Sequence, residues 1–228
     1  MTAELPVFFP GQAPVFALPA TVLLPGARLP LHIFEPRYRE MTKRALGTDR
    51  LVAIALLKPG WEGDYEGNPP VYGMATVGQI IMEQALPDGR FNIVLEGLVR
   101  FRVGEMVQAK PYRVAKGELL HDRIDPLEEE SVRTRALHLH AVATRLSVED
   151  FSFAAAANRA LSAGAAPGRL ADLLADGLEV DASVKQKFLE EVDVGRRLDA
   201  MVAALKARLA GIEEKQRKQE DGEPWQWN

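Results

Sequence analysis

The sequence contains no cysteine and no apolar run long enough to span a membrane. The absence of cysteine excludes disulfides, zinc sites built on thiolates and cysteine nucleophiles. Near the amino terminus, prolines at positions 6, 10, 14, 19 and 25 interrupt every apolar stretch, and the basic segment typical of a signal peptide is missing. We therefore expect a cytoplasmic protein without a membrane partner.

A strong excess of charge of one sign is also missing. The net charge is −4, and the 47% hydrophobic and 26% charged residues are typical of a globular protein that buries a core. Nucleic-acid-binding domains usually carry a basic stripe or patch, which this sequence does not show. We therefore do not expect nucleic acid to be a partner.

Patterns that would indicate catalysis or metal binding are scarce. No Gly-Lys dipeptide occurs, so the phosphate-binding loop of an ATPase is not present. His138 and His140 are two positions apart on a predicted helix and point in different directions, which does not suit a shared metal. Ser183 and Lys187 are one helical turn apart, but nothing nearby predicts an oxyanion hole. We predict no catalytic residue, no metal site and no cofactor.

Turn and proline signals organise the first part of the chain. Pro25-Gly26 predicts a type II turn after a short strand at 22–24. Pro30 has no N–H to donate to a neighbouring strand, so its strand, 29–34, is expected at a sheet edge or a bulge. A helix is then expected to begin at Pro36 and to end before a glycine at 47.

The segment LPLHIFEPRYRE, at 29–40, resembles the opening signature of the N-terminal substrate-binding domain of Lon proteases, especially its stand-alone bacterial relatives. Three further segments resemble successive blocks of the same domain: VGQI, LPDGRFNIVLEGLVRFRV and PYRVA. The resemblance continues through RLADLLADGLEVDASVKQKFLEEVDVGRRLDAMVAALKARL and extends over 15–210. It implies an α+β protein in which a PUA-like, partly closed β-barrel precedes a C-terminal helical bundle.

The strand pattern is consistent with that architecture. Apolar runs or alternating patterns predict strands at 15–18, 51–57, 72–86, 91–96, 99–103 and 112–115. Gly78 indicates a bulge or a close backbone approach, and Pro87-Asp88-Gly89-Arg90 predicts a hairpin turn. The alternation around Val99 and Phe101 places Arg100 and Arg102 on a wetter face.

The second half of the chain is predicted to be helical. We expect a β domain at 1–120, a linker at 121–128, a helical bundle at 129–216 and a charged tail at 217–228 that contains Trp225 and Trp227. Asp181 is a good N-cap for one of these helices. The last helix has an apolar stripe that either packs into its own bundle or pairs with another chain as a homo-oligomer; its members are Val194, Leu198, Met201, Leu205, Leu209 and Ile212.

The Lon resemblance implies binding of unfolded or hydrophobic polypeptide segments, which requires accessible apolar side chains. The candidates are Trp61 and Tyr65, in the glycine- and proline-rich loop 58–70, and Met74 and Met82 in the strand that follows. Each could instead belong to the core, with Trp61 capping the barrel and the methionines filling it.

We interpret the sequence as a non-catalytic polypeptide-binding protein in protein quality control, with a protease or chaperone as a further partner. Two alternatives stay open. One is a module that recognises a single folded partner, and the other is an accessory component of an ATP-dependent protease.

Overall fold

The computed structural model of the protein describes residues 9–65 and 67–222. The chain forms two compact units. Unit 1 contains the chain up to Asp122 together with Glu179–Val192, and unit 2 contains Arg123–Leu178 and the chain from Asp193 onward. The helical bundle was predicted over 129–216, and Glu179–Val192 of that range lies with unit 1.

Unit 1 is built on one six-stranded sheet. Its strands are β1 (Gln12–Leu18), β2 (Arg28–Ile33), β3 (Leu51–Leu56), β4 (Met74–Ala85), β5 (Phe91–Gln108) and β6 (Arg113–Leu120). The strand order is β2-β5-β4-β3-β1-β6, and a further pairing of β5 with β6 closes the sheet into a ring. The ring is not a regular barrel, because β5 pairs with β2 through 91–96 and with β6 through 100–108.

The described part of the chain contains six α-helices. They are α1 (Pro36–Leu46), α2 (Glu129–Glu149), α3 (Phe151–Ser162), α4 (Pro167–Asp176), α5 (Ala182–Glu190) and α6 (Val194–Gly222). Helices α1 and α5 belong to unit 1, and the other four form unit 2. None of the helices in the described ranges combines the length and hydropathy needed to cross a membrane. The α+β class predicted from the sequence is confirmed.

The edge position predicted for the proline-containing strand is confirmed, since β2 pairs with β5 alone. Gly97 N–H donates to Ala27 O at 2.9 Å. Hydrogen-bonded and non-hydrogen-bonded pairs alternate along an antiparallel ladder, so the pair of Pro30 with Val94 is a non-hydrogen-bonded one. An N–H at position 30 would therefore point away from β5. The proline therefore leaves the ladder intact and removes one donor from the open edge.

The turn before β2 also follows the prediction. Gly26 has φ 85°, and Ala27 N–H donates to Leu24 O at 3.0 Å. The strand predicted at 22–24 is wrong: these residues are buried, but they join no ladder. Instead the Thr76 hydroxyl donates to Leu23 O at 2.5 Å, so a side chain replaces a neighbouring strand as donor.

The interior of unit 1 includes a buried cation. Arg100 is 2% exposed and donates through Nε to Leu189 O, at the end of α5, at 2.9 Å. Its Nη1 also lies 3.4 Å from an oxygen of Asp122. The prediction that Arg100 lies on a wetter face is wrong, because α5 supplies the polar partners at this point of β5. Arg102 does follow the prediction and is exposed.

Unit 2 buries the apolar stripe of α6 within a single chain. Val194, Leu198, Met201 and Leu205 are each 0% exposed, and Arg197 on the same helix forms a buried ion pair with Asp172 of α4 at 3.5 Å. These four members of the stripe therefore pack inside unit 2, as the first of the two alternatives predicts, while Ile212 is half-buried. Helix α6 continues to Gly222, and Trp225 and Trp227 lie outside the described residues.

Candidate functional site

The loop before β4 holds its two aromatic residues together. Trp61 starts a 3₁₀ turn at Trp61–Asp64, and its ring lies edge-on to that of Tyr65, with 5.5 Å between the centroids. Both side chains are half-buried. The sequence correctly predicts that this segment joins strands without forming one, and the two aromatic candidates share one surface.

Arg37 fixes that loop to the start of α1. Its guanidinium lies 2.9 Å from the Glu35 carboxylate and donates to Tyr65 O at 3.3 Å. The Tyr65 hydroxyl in turn donates to Glu35 Oε1 at 2.8 Å. Burial raises the pKa of Tyr65 to about 12, and the hydrogen bond to the Glu35 carboxylate acts in the same direction. At neutral pH Tyr65 is therefore a neutral donor in this cluster.

The two methionine candidates have different environments. Met74, at the start of β4, is 9% exposed, and Gln186 of α5 donates to its backbone carbonyl at 3.0 Å. Met82, in the second half of β4, is 63% exposed. The register between β4 and β5 shifts between Ile80 and Met82, which is a bulge of the kind that redirects side chains. Only Met82 of the pair offers surface to a partner.

Met82 belongs to an apolar row that crosses three strands. Pro30 of β2 lies opposite Val94 of β5, and Val94 lies opposite Met82 of β4. Neighbouring strands are about 4.8 Å apart, so the row spans about 10 Å of sheet. It lines a groove of about 390 Å³, which is within the usual ~300–1,000 Å³ of small ligand sites. We call this surface the apolar row.

A polar row lies beside the apolar row, two residues away from it on each strand. His32 Nδ1 lies 2.7 Å from Asn92 Oδ1, and Asn92 Nδ2 donates to Gln84 Oε1 at 3.0 Å. These side chains hydrogen-bond to one another across the strands, which orders them into a polar border, and each amide keeps further donors and lone pairs. The ring of Phe34, which is 61% exposed, stacks on that of His32 with 6.2 Å between centroids. Phe34 thus extends the exposed apolar surface past the polar row.

The structure therefore separates the four predicted residues. Trp61 and Tyr65 lie together on the loop, Met82 lies in the apolar row, and Met74 is interior. Sequence reasoning missed Phe34, although a signal for it exists. In β2 the even positions from 28 to 32 face out, and the same alternation directs residue 34 outward.

Chemistry other than binding finds little support in this geometry. Ser183 and Lys187 are both exposed on α5, so neither has the buried surroundings that activate a nucleophile. Among the residues that the structure describes, no group of three or more His, Asp or Glu side chains could hold a metal ion. What the site can supply is apolar contact area bordered by fixed hydrogen-bonding groups.

Relatives of the chain are Lon proteases. Lon protease 2 of Myxococcus xanthus is 29% identical over 196 residues, which cover 86% of this chain and 24% of that protein. The Lon protease of Geobacter metallireducens is 30% identical over 198 residues, which cover 83% of this chain and 23% of that protein. The chain thus spans about a quarter of the length of these relatives.

Two solved structures share the fold. The Lon N-terminal domain protein from Xanthomonas campestris superimposes with a TM-score of 0.59 at 24% identity, covering 84% of this chain and 97% of that chain. The N-terminal domain of Mycobacterium avium complex Lon protease gives 0.60 at 18% identity, covering 86% and 98%. Residues 12–207 match the family described as the ATP-dependent protease La (LON) substrate-binding domain. The chain therefore belongs to the Lon substrate-binding-domain family.

Proposed function

We propose that this protein binds unfolded or hydrophobic polypeptide segments through the apolar row and Phe34. The observation that carries the proposal is the exposure of Met82 and Phe34, at 63% and 61%, beside a groove in the sheet. Large apolar side chains exposed next to a groove are typical of interaction sites. The family supports polypeptide as the ligand, because its described role is substrate binding.

The side-chain types suit a ligand of variable sequence. Methionine is flexible and polarizable, so Met82 can adapt to different apolar groups. The rigid neighbours Pro30 and Val94 lose little side-chain entropy when a ligand covers them. The polar row beside them provides amide groups that can pair with the backbone of a bound segment. This combination favours apolar content over a particular sequence.

The loop aromatics form a second contact region in the proposal. Trp61 and Tyr65 bring large apolar area at low entropy cost, and the contacts of Arg37 with Tyr65 hold the loop against α1. Phe34 directly precedes Glu35, the residue that accepts the hydrogen bond from Tyr65. A segment longer than the groove could therefore contact both regions.

We further propose that the chain itself is non-catalytic, resides in the cytoplasm and acts in protein quality control, with a protease or chaperone receiving the bound polypeptide. Support comes from the extent of the family match, which covers a substrate-binding domain and no catalytic domain.

Fluorescence anisotropy of a labelled, permanently unfolded polypeptide, titrated with the protein in the absence of nucleotide, tests the proposal. We expect saturable binding that weakens about thirtyfold when Met82→Ser and Phe34→Ser are combined, since two hot-spot residues that contribute ~1 kcal/mol each contribute about 2 kcal/mol together. A smaller loss is expected for Trp61→Ala with Tyr65→Ala.

Leu137→Ser is the matched control, because Leu137 is 73% exposed but lies on α2 of unit 2. It should leave the affinity unchanged. Equal weakening by Leu137→Ser and by the Met82/Phe34 pair would show that binding follows general surface hydrophobicity and would contradict the assigned surface. If no unfolded polypeptide binds saturably, the proposed function itself is wrong.

A further inference from the structure

A second cleft of unit 1 lies at the beginning of α1, away from the groove that holds Met82. Its volume is about 150 Å³. The walls come from the first turn of α1, the end of the loop before β4 and the segment between β5 and β6. Among the described residues that line it are Arg37, Tyr38, Lys110, Tyr112 and Arg113.

Three of these lining residues are cations, and none is an anion. Arg113 is only 7% exposed, although an arginine is rarely buried without a charged partner. Within the described part of the chain, its one side-chain hydrogen bond runs from Nη1 to Pro69 O at 2.8 Å. A guanidinium has five N–H donors, so one carbonyl leaves most of its capacity unused.

Neither Arg113 nor Lys110 has a carboxylate within ion-pair distance in the described part of the chain. Arg37 differs, because Glu35 already neutralises it at 2.9 Å. Lys110 is exposed at the mouth of the cleft, while Arg113 is deep within it. The described residues that line the cleft therefore carry a net positive charge, and Asp64 is a nearby carboxylate whose charge acts on Arg113 without an ion pair between the two side chains.

The direction of the Arg113 pKa agrees with this. The pKa of the Arg113 guanidinium lies below its ordinary value, chiefly because of burial. Tyr38 and Asp64 raise this pKa, whereas the nearby charge of Arg37 lowers it. A bound anion would offset the cost of that burial, as buried charges are normally paired.

We propose that this cleft binds one oxyanion group of carboxylate or phosphate size, with Arg113 donating from the floor and Lys110 from the rim. The planar fork of an arginine matches both groups through two parallel hydrogen bonds. A volume of about 150 Å³ admits the charged end of a ligand and not a folded partner. The proposal does not depend on polypeptide binding at the apolar row.

The test is a titration of the ¹⁵N-labelled protein, at constant ionic strength, with three probes: inorganic phosphate, an acetylated dipeptide with a free C-terminal carboxylate, and the same dipeptide as its C-terminal amide. We expect saturable amide shifts confined to 37–38, 67–68 and 109–113 for phosphate, for the carboxylate or for both, and none for the amide. Phosphate alone would identify a free phosphate site, and the carboxylate alone would identify a peptide C-terminus.

Two variants test the assigned residues. Lys110→Ala changes an exposed side chain and should weaken binding about three- to tenfold, while Arg113→Gln should abolish the localised shifts. Lys116→Ala, on an exposed lysine of β6, is the matched control and should change nothing. If Arg113→Gln unfolds unit 1, the comparison of Lys110→Ala with Lys116→Ala still decides. Shifts spread over many surface cations, no saturation with any probe, or equal effects of the two lysine variants would overturn the site.

Discussion

Arg37 shows how one side chain can connect segments that are distant in sequence. Its guanidinium carbon lies 4.7 Å from the ring centroid of Tyr38 and 5.1 Å from that of Tyr65. Cation–π contacts of this kind contribute about 0.5–1 kcal/mol at exposed sites. The local pairing of Glu35 with Arg37 is predictable from their spacing. The contact with Tyr65 is not, because the loop conformation brings the two together across 28 positions.

A pH titration tests the cluster around Tyr65. The pKa of Tyr65, about 12, lies above the ordinary value of about 10, so the protonated phenol stabilises the fold below pH 10. That contribution is lost as the pH rises through about 12. Glu35→Ala removes the acceptor and its charge, so we expect the pKa of Tyr65 to fall toward 10 but not to reach it, since burial remains.

Ring carbon shifts of labelled tyrosine measure this pKa directly, and Tyr65→Phe identifies the signal. An unchanged Tyr65 titration in the Glu35→Ala protein would show that burial alone determines the pKa.

The strands show which features of an element can be predicted from its sequence. Gly78 and Pro87-Asp88-Gly89-Arg90 correctly predict the first bulge of β4 and its hairpin turn. The second bulge, between Ile80 and Met82, has no glycine to signal it. The sequence therefore could not show that Met82 is exposed while Met74 is buried, because both lie in the same apolar strand.

Two aspartates, Asp150 before α3 and Asp181 before α5, occupy the N-cap position of their helices but differ in their hydrogen bonds. The Asp150 carboxylate accepts hydrogen bonds from the N–H groups of Ser152 and Phe153, at 3.1 and 3.2 Å, and pairs with Arg208. Asp181 occupies the same capping position before α5 but makes no side-chain capping bond. Its position as N-cap was predicted correctly, but the sequence could not show that the hydrogen bond is absent.

We therefore expect Asp150→Ala to lower the free energy of unfolding of unit 2 by about 1–2 kcal/mol, and Asp181→Ala to have an effect below ~0.5 kcal/mol. Burial raises the pKa of Asp150, but the hydrogen bonds from Arg208 and Ser152 and from the Phe153 N–H outweigh it, so this pKa lies below its ordinary value. The stabilisation is present above the ordinary carboxyl pKa and is lost as the pH falls through the lowered one. Urea unfolding at pH 7 and at acidic pH measures both effects, and equal losses for the two variants would contradict the capping argument.

At the scale of the whole molecule, the chain returns to unit 1 after three helices of unit 2. The returning segment, α5, supplies Leu189 O to Arg100 and the Gln186 amide to the backbone of Met74. Composition and helical periodicity predict α5 as a helix, but they do not distinguish a helix that packs in a bundle from one that packs on a sheet. In unit 1, α5 supplies a carbonyl partner to the buried Arg100. Strand alternation alone predicted that Arg100 faces water, so this contact could not be predicted from the sequence.

Removing α5 should therefore weaken unit 1. We expect a fragment of residues 1–122 to show faster amide exchange in β4 and β5 than the full chain, because the hydrogen bonds from Arg100 to Leu189 O and from Gln186 to Met74 O are lost with α5. A synthetic peptide of residues 179–192 should restore part of the protection.

A scrambled peptide of the same composition is the control and should have no effect. Identical exchange in the fragment and the full chain would show that α5 is not needed for the stability of unit 1.

The position of α5 in the chain also constrains synthesis on the ribosome. Residues 123–178 are made before the segment that completes unit 1. At ~5–20 residues per second, the ribosome needs about 4–14 s to proceed from residue 122 to residue 192. Throughout that interval the guanidinium of Arg100 has no helix end to bind, while α2, α3 and α4 are already emerging. The nascent protein therefore cannot finish its first unit before it begins its second.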